Sequence, residues 1–179
     1  MRMIMMTLAA LVGLSGCNAL SSAAGVGWPT DVFTVDIGGI YGHDLSDGAP
    51  IDLEWASDSS FACWVGTENQ NFDGNHVFFG LTQPANTFLT VAATPEPGLD
   101  VSLYLMQMGT DTFIVPPSTD AYPLSCDAGF DQVHDANPGE VEYIETLGYE
   151  HDVNVLIGVA GVNGGSSGAF ELELYAEEI

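Results

Sequence analysis

The sequence predicts an all-β fold, an antiparallel sandwich or barrel. Three observations lead there. Apolar residues recur at every second position, as they do on a strand with one buried face. No stretch sustains the period of an amphipathic helix. Clusters of Gly, Pro, Asn and Asp break the chain at short intervals.

The strands follow in order. Ile51, Leu53 and Trp55 alternate with Asp52 and Glu54. Val101, Leu103 and Leu105 alternate with Ser102, Tyr104 and Met106. Val153, Val155, Ile157 and Val159 share one face. Phe170, Leu172 and Leu174 alternate with Glu171, Glu173 and Tyr175. Between them stand Asp47-Gly48-Ala49-Pro50, Asp73-Gly74-Asn75, Pro95-Glu96-Pro97-Gly98, Pro116-Pro117, Asn137-Pro138-Gly139 and Asn163-Gly164-Gly165. Strands of this kind leave one face to water, where carboxylates can sit. There is no internal repeat and no sign of a second domain. A chain of 179 residues suits one domain with a real core.

Charge narrows the function. Against 25 Asp and Glu there is a single Lys or Arg, Arg2. Nucleic acid is excluded as a partner, because its recognition depends on cations neutralising phosphates. Anionic headgroups are disfavoured for the same reason. Lysine Schiff-base chemistry and arginine clamps on phosphate or carboxylate lack their residues. A hydrophobic fraction of 46% distinguishes the chain from a disordered acidic tail.

The amino terminus reads as an address. Met1-Arg2 is a positive start, Met3 to Leu14 is apolar, and Ser15-Gly16 are small. The run is too short to cross a bilayer. Leu14-Ser15-Gly16-Cys17 resembles a bacterial lipoprotein signal, cut before a diacylated Cys. The alternative is an ordinary signal peptide with a coincidental Cys. The resemblance implies a signal peptide over residues 1–16, Cys17 as an acylated (palmitate-bearing) first residue, and a bilayer anchor. Asn18 stands where an Asp favours inner-membrane retention in enteric bacteria, so the outer membrane is expected. Residues 17–27 are small and uncharged, a flexible tether. Residues 28–179 form the folded domain. Without Cys17, Cys63 and Cys126 remain, an even number in an exported, oxidising setting. A disulfide between them is expected, and by the chain-entropy model it contributes about 4 kcal/mol. The alternative is two buried thiols.

The second half carries a more particular resemblance. Gly98-Leu99-Asp100-Val101-Ser102-Leu103-Tyr104 looks like the "D-x-D-L-Y" strand of bacterial pre-peptidase C-terminal domains. Val153 to Val159, a glycine-rich turn and Ser167-Gly168-Ala169-Phe170-Glu171-Leu172 are similar to that family's closing hairpin. Residues 72–175 are covered. Ser102 replaces the second Asp of the family strand, and Phe170 replaces the usual Tyr. The resemblance implies a jelly-roll-like β-sandwich with no catalytic residues of its own, a secreted binding module.

Other constellations compete with plainer readings. Asp127, Asp131, Asp135 and Asn137 lie in one Gly- and Pro-containing loop, and Asp100 can approach from the neighbouring strand. Carboxylates free of competing Lys or Arg suit Ca²⁺, although the spacing matches no EF-hand. The plain reading is a solvated acidic loop. His43, His134 and His151 each precede an Asp, and His76 precedes Val77-Phe78-Phe79. Zinc-ligand spacing is absent, so all four are read as surface histidines amid carboxylates, with His76 at a strand end. Gly164 to Gly168 fits G-x-S-x-G, but strands flank it, so it is read as a hairpin turn. Trp28, Tyr41, Trp55, Trp64 and Phe72 suit a glycan- or peptide-binding face. Trp55 is also placed in the core, and Trp64 against the expected disulfide.

The expected function is a lipid-anchored, non-catalytic binding module of the bacterial envelope, with a protein or glycan ligand. The alternatives are a calcium-dependent enzyme or enzyme accessory, and a structural envelope component. The calcium reading predicts that micromolar to millimolar CaCl₂ raises the melting temperature beyond NaCl at matched ionic strength. Solubility or salt adaptation predicts the same rise with either salt. Paired melting curves separate them.

Overall fold

The structure, a computed structural model, describes residues 31–58, 63–109, 125–129 and 138–179. The signal segment, Cys17, the tether, Trp28, Pro116-Pro117, Asp131, His134, Asp135 and Asn137 lie outside them.

Nine strands form two stacked sheets. They are β1 (Val32–Thr34), β2 (Ile40–Asp44), β3 (His76–Gln83), β4 (Thr87–Pro95), β5 (Val101–Met108), β6 (Ser125–Gly129), β7 (Glu142–Leu147), β8 (Val153–Gly161) and β9 (Ala169–Glu178). One sheet runs β1-β3-β8-β5-β6 and the other β2-β9-β4-β7. The expected β-sandwich is what the chain forms. Pairing is antiparallel except at one edge, where β1 lies parallel to β3, with Val32 opposite Phe78. A parallel neighbour needs a long crossover, and β2 with the segment up to His76 supplies it.

Alternation explains the inner core. Val77, Phe79 and Leu81 of β3, Val153 to Val159 at alternate positions of β8, Leu103 and Leu105 of β5, and Phe170, Leu172 and Leu174 of β9 meet between the sheets. At one end of that core a polar clasp joins the layers. Gln107 Nε2 donates to Gln83 Oε1 (2.8 Å) and to Leu147 O (2.9 Å), and Gln83 Nε2 donates to Thr87 O (3.1 Å).

The five-stranded sheet departs from the expected one-wet-face pattern. Both faces of β5 and β8 are buried. Its outward residues are Phe78, Tyr104, Met106, Met108 and Leu156, too large and apolar to leave in water. Leu53, Trp55, Trp64 and Phe72 cover them as a second core. The cap is built from short helical pieces. The expected strand at 51–55 is instead a turn entering α1 (Glu54–Asp58), because Asp52 Oδ1 accepts the Glu54 N–H (3.0 Å) and closes an Asx turn. A 3-10 stretch, Gly66–Asn71, follows. Trp64, expected against a disulfide, stacks face to face on Phe72 with centroids 3.8 Å apart.

Two further expectations are corrected. Asp127 is not in a loop: Ser125–Gly129 is a strand on the edge of β5, with Asp127 opposite Leu105. The glycine-rich segment after β8 is not a hairpin, since β8 and β9 belong to different sheets. It arches between layers. Gly74 N–H donates to Gly161 O (2.9 Å) and Asn75 N–H to Gly165 O (2.8 Å), backbone against backbone where no Cβ fits. Asp73 Oδ1 accepts the Gly164 N–H, and Asn75 Nδ2 donates to Ser166 O (3.1 Å). These anchors carry the chain across instead of letting it fold back.

Under the cap the Tyr104 ring lies on Gly158 in the neighbouring strand, where any Cβ would penetrate the ring. Gly158→Ala should lower the unfolding free energy by about 3 kcal/mol, at the upper end for overpacking a filled core. Urea denaturation reads this directly.

Candidate functional site

The buried aromatic cluster is structural. Among its members Trp55, Trp64 and Phe72 turn inward onto Tyr104, so they form no exposed platform. His76 belongs to the same cluster. It is fully buried, contrary to the surface placement expected for it. Its Nε2–H donates to Phe72 O (2.7 Å), so in the neutral ring Nδ1 accepts from the Tyr104 hydroxyl (2.9 Å). Burial, opposed by the Phe72 carbonyl and the Asp73 charge, pulls its pKa down to about 4, and burial pushes the Tyr104 phenol well up.

His43 is also not a surface residue. Its ring packs among Phe33, Phe79 and Phe170, with Nδ1 3.1 Å from Asp47 Oδ2. Its neighbour Asp44 spends its carboxylate on the Ser46 and Gly168 N–H groups, the Ser46 bond first among the causes that lower its pKa. His151 is exposed and lies near Tyr149. Among the described residues no three His, Cys, Asp or Glu side chains converge as metal ligands.

For the calcium loop, the described ends are informative. Gly129 pairs with Leu103, and the Gly139 N–H donates to Leu99 O (2.7 Å). The Gly139 end thus stands beside Asp100, and the Gly129 end three residues further along the same strand. Ser102 is buried under the cap opposite Ala160 and faces away from solvent. Cys63 is buried beside Trp64 and in the same cluster as Met106, and the backbone of Cys126 is opposite Met106.

The surface that stands out is the outer face of the four-stranded sheet. Alternation puts Ile40 of β2, Glu171, Glu173, Tyr175 and Glu177 of β9, Phe88, Thr90 and Ala92 of β4, and Tyr143, Glu145 and Leu147 of β7 on it. Register arranges them in rows: Ile40, Glu173, Ala92, Tyr143; then Tyr175, Thr90, Glu145; then Glu177, Phe88, Leu147. Ile40 is 58% exposed, Leu147 60%, Tyr175 48% and Tyr143 42%. Nothing among the described residues caps this face as Leu53, Trp55, Trp64 and Phe72 cap the other sheet. The Glu173 carboxylate beside Tyr175 holds its phenol above the ordinary value. Thr90 Oγ1 donates to Glu145 Oε1 (3.3 Å). A separate shallow groove of about 250 Å³ lies at the β1 edge between Thr34–Ile37 and Gly80–Thr82. Tyr41, the remaining aromatic of the expected face, turns inward against the core, with its hydroxyl oxygen accepting the Asp36 N–H at 2.7 Å.

Sequence reasoning missed Ile40, Tyr143 and Leu147 as a surface. The signal was available in part: Tyr175 alternates with the core residues of β9, in the phase of Glu171 and Glu173.

No family model matches the chain, and no curated protein matches its sequence. Solved structures do resemble it. The pre-peptidase C-terminal domain of a collagenase from Bacillus anthracis is 10% identical, with a TM-score of 0.43 over 82% of this chain and 96% of that one. CorA, a surface-associated copper-binding protein of Methylomicrobium album BG8, is 12% identical, with a TM-score of 0.44 over 79% of this chain and 96% of that one. The VP2 subviral particle of infectious bursal disease virus is 12% identical, with a TM-score of 0.28 over 84% of this chain and 37% of that one.

The His76 geometry predicts acid sensitivity. The unfolded chain takes up this proton near the ordinary value of 6.5, whereas the fold resists it until about 4. Between those values the unfolded state binds more protons, so stability falls as pH falls. The full loss is about 3 kcal/mol. Because carboxylate repulsion changes in the same range, the readout is a difference at high salt. The stability advantage of the wild type over His76→Gln should shrink by that amount between pH 7 and pH 4.

Proposed function

We propose that this chain is a lipid-anchored protein of the bacterial envelope, held at the outer membrane, whose sandwich is a non-catalytic binding module. The contact surface is the outer face of the four-stranded sheet. One observation carries the reading: Ile40, Tyr143, Leu147 and Tyr175 stand exposed on one face, while the comparable apolar residues of the other sheet are buried under a cap. Large apolar side chains gathered on one uncapped sheet face, here interspersed with Glu145, Glu171, Glu173 and Glu177, favour an interaction site. The Leu14-Ser15-Gly16-Cys17 segment supports the anchor, with Cys17 acylated. The burial of Cys63 and the register of Cys126 opposite Met106 support a disulfide between them, suited to an exported protein.

A second reading has its own support. Both ends of the 130–138 stretch return to the 99–103 segment, Gly139 on Leu99 next to Asp100 and Gly129 on Leu103, which favours a calcium site from Asp100, Asp127, Asp131, Asp135 and Asn137. It would serve the binding module or an enzyme accessory.

Photocrosslinking in living bacteria tests the main reading. A benzophenone side chain at position 143 or 175 should give a discrete adduct, and one at Gln70, on the cap, should give none. In the same cells Cys17→Ser should release the chain from the membrane fraction. Matching patterns at positions 143 and 70 would remove the binding face. Retention of the Cys17→Ser chain in the membrane would remove the anchor.

A further inference from the structure

Successive outward positions of β9 read Glu171, Glu173, Tyr175 and Glu177. Apolar residues flank this line, with Ile40 on one side and Ala92, Tyr143, Phe88 and Leu147 on the other. Outward positions on a strand repeat about every 7 Å, which is also the repeat of alternate side chains on any extended chain. We propose that this face docks an extended basic polypeptide segment, with Lys or Arg at alternate positions. The inference rests on the reading of this face as the binding surface and adds the partner's chemistry.

Charge selects this occupant. Arg2 is the only Lys or Arg of the chain, so the carboxylates of the face have no Lys or Arg of the folded domain to meet. A second copy would bring the same carboxylates against them and be repelled. An anionic membrane would be repelled likewise. A neutral ligand would strip water from Glu173 and Glu145 without replacing it by a cation. A basic segment satisfies both halves of the surface. Its charged heads meet Glu171, Glu173 and Glu177. Its alkyl stems lie over Ile40 and Ala92. The Tyr175 and Tyr143 rings offer their faces to a guanidinium or ammonium.

The test uses the full chain in detergent micelles at physiological salt. The probes are two fluorescent decapeptides of equal composition, one alternating Arg with Thr, the other with all Arg at one end. The alternating peptide should bind about ten-fold more tightly, a difference of about 1.4 kcal/mol. Glu173→Gln with Tyr175→Ser should remove that preference. Asp31→Asn with Glu68→Gln, which deletes two charges elsewhere against the one lost from the face, should leave it intact. Equal binding of the two peptides, or equal weakening by the control pair, would show diffuse attraction to an acidic protein and overturn the proposal. If the peptides fail while the adduct at position 143 persists, the binding face stands and the basic partner falls. An adduct of twice the chain mass would identify a second copy and overturn it as well.

Discussion

A folded domain whose chain offers one arginine against 25 acidic residues cannot be held by networks of ion pairs. That constraint shapes the rest of the structure. Aspartates find their partners on the backbone instead. Asp44 accepts from Ser46 and Gly168, Asp47 from Asp44, Asp52 from Glu54, Asp73 from Gly164, and Asp152 from Ala85. Each bond pins a turn or an arch, and a charged acceptor makes it stronger than a neutral one. The cohesive energy then has to come from apolar burial, and the chain supplies it in two separate clusters.

The second cluster turns a two-layer sandwich into three layers on one side. Tyr104 sits flat on Gly158, and Trp55, Trp64, Phe72, Phe78 and His76 close around it. His76 there is tied to Tyr104 and Phe72 rather than offered outward. The four-stranded sheet has no such cover among the described residues. The asymmetry between the sheets separates the side that stabilises from the side that can bind.

Much of the sandwich was legible in the sequence because alternation reports strand faces directly. β5, β8 and β9 fall where the pattern puts them. Position 51–55 misled because an Asx turn at Asp52 outweighs a short alternating run. The glycine-rich segment after β8 misled because a turn's composition says that the chain bends, not which sheet it enters next. His76 misled for a related reason: its burial depends on Tyr104 and on a cap distant in sequence. The candidate face was only partly legible, since the register that sets Ile40 beside Glu173 and Ala92 beside Tyr143 joins strands far apart along the chain. Tyr175 alone showed its phase.

The parallel edge strand has a mechanical consequence. β1 is the first strand described, and it grips β3 through three residue pairs, Val32 to Thr34. Any pull on the residues ahead of it enters the domain at this short strap. Behind it the chain is held by Val35 on Gly80 and by Gly38 on Leu174. Under tension the strap peels first, baring the edge of β3 while the layered interior keeps its packing.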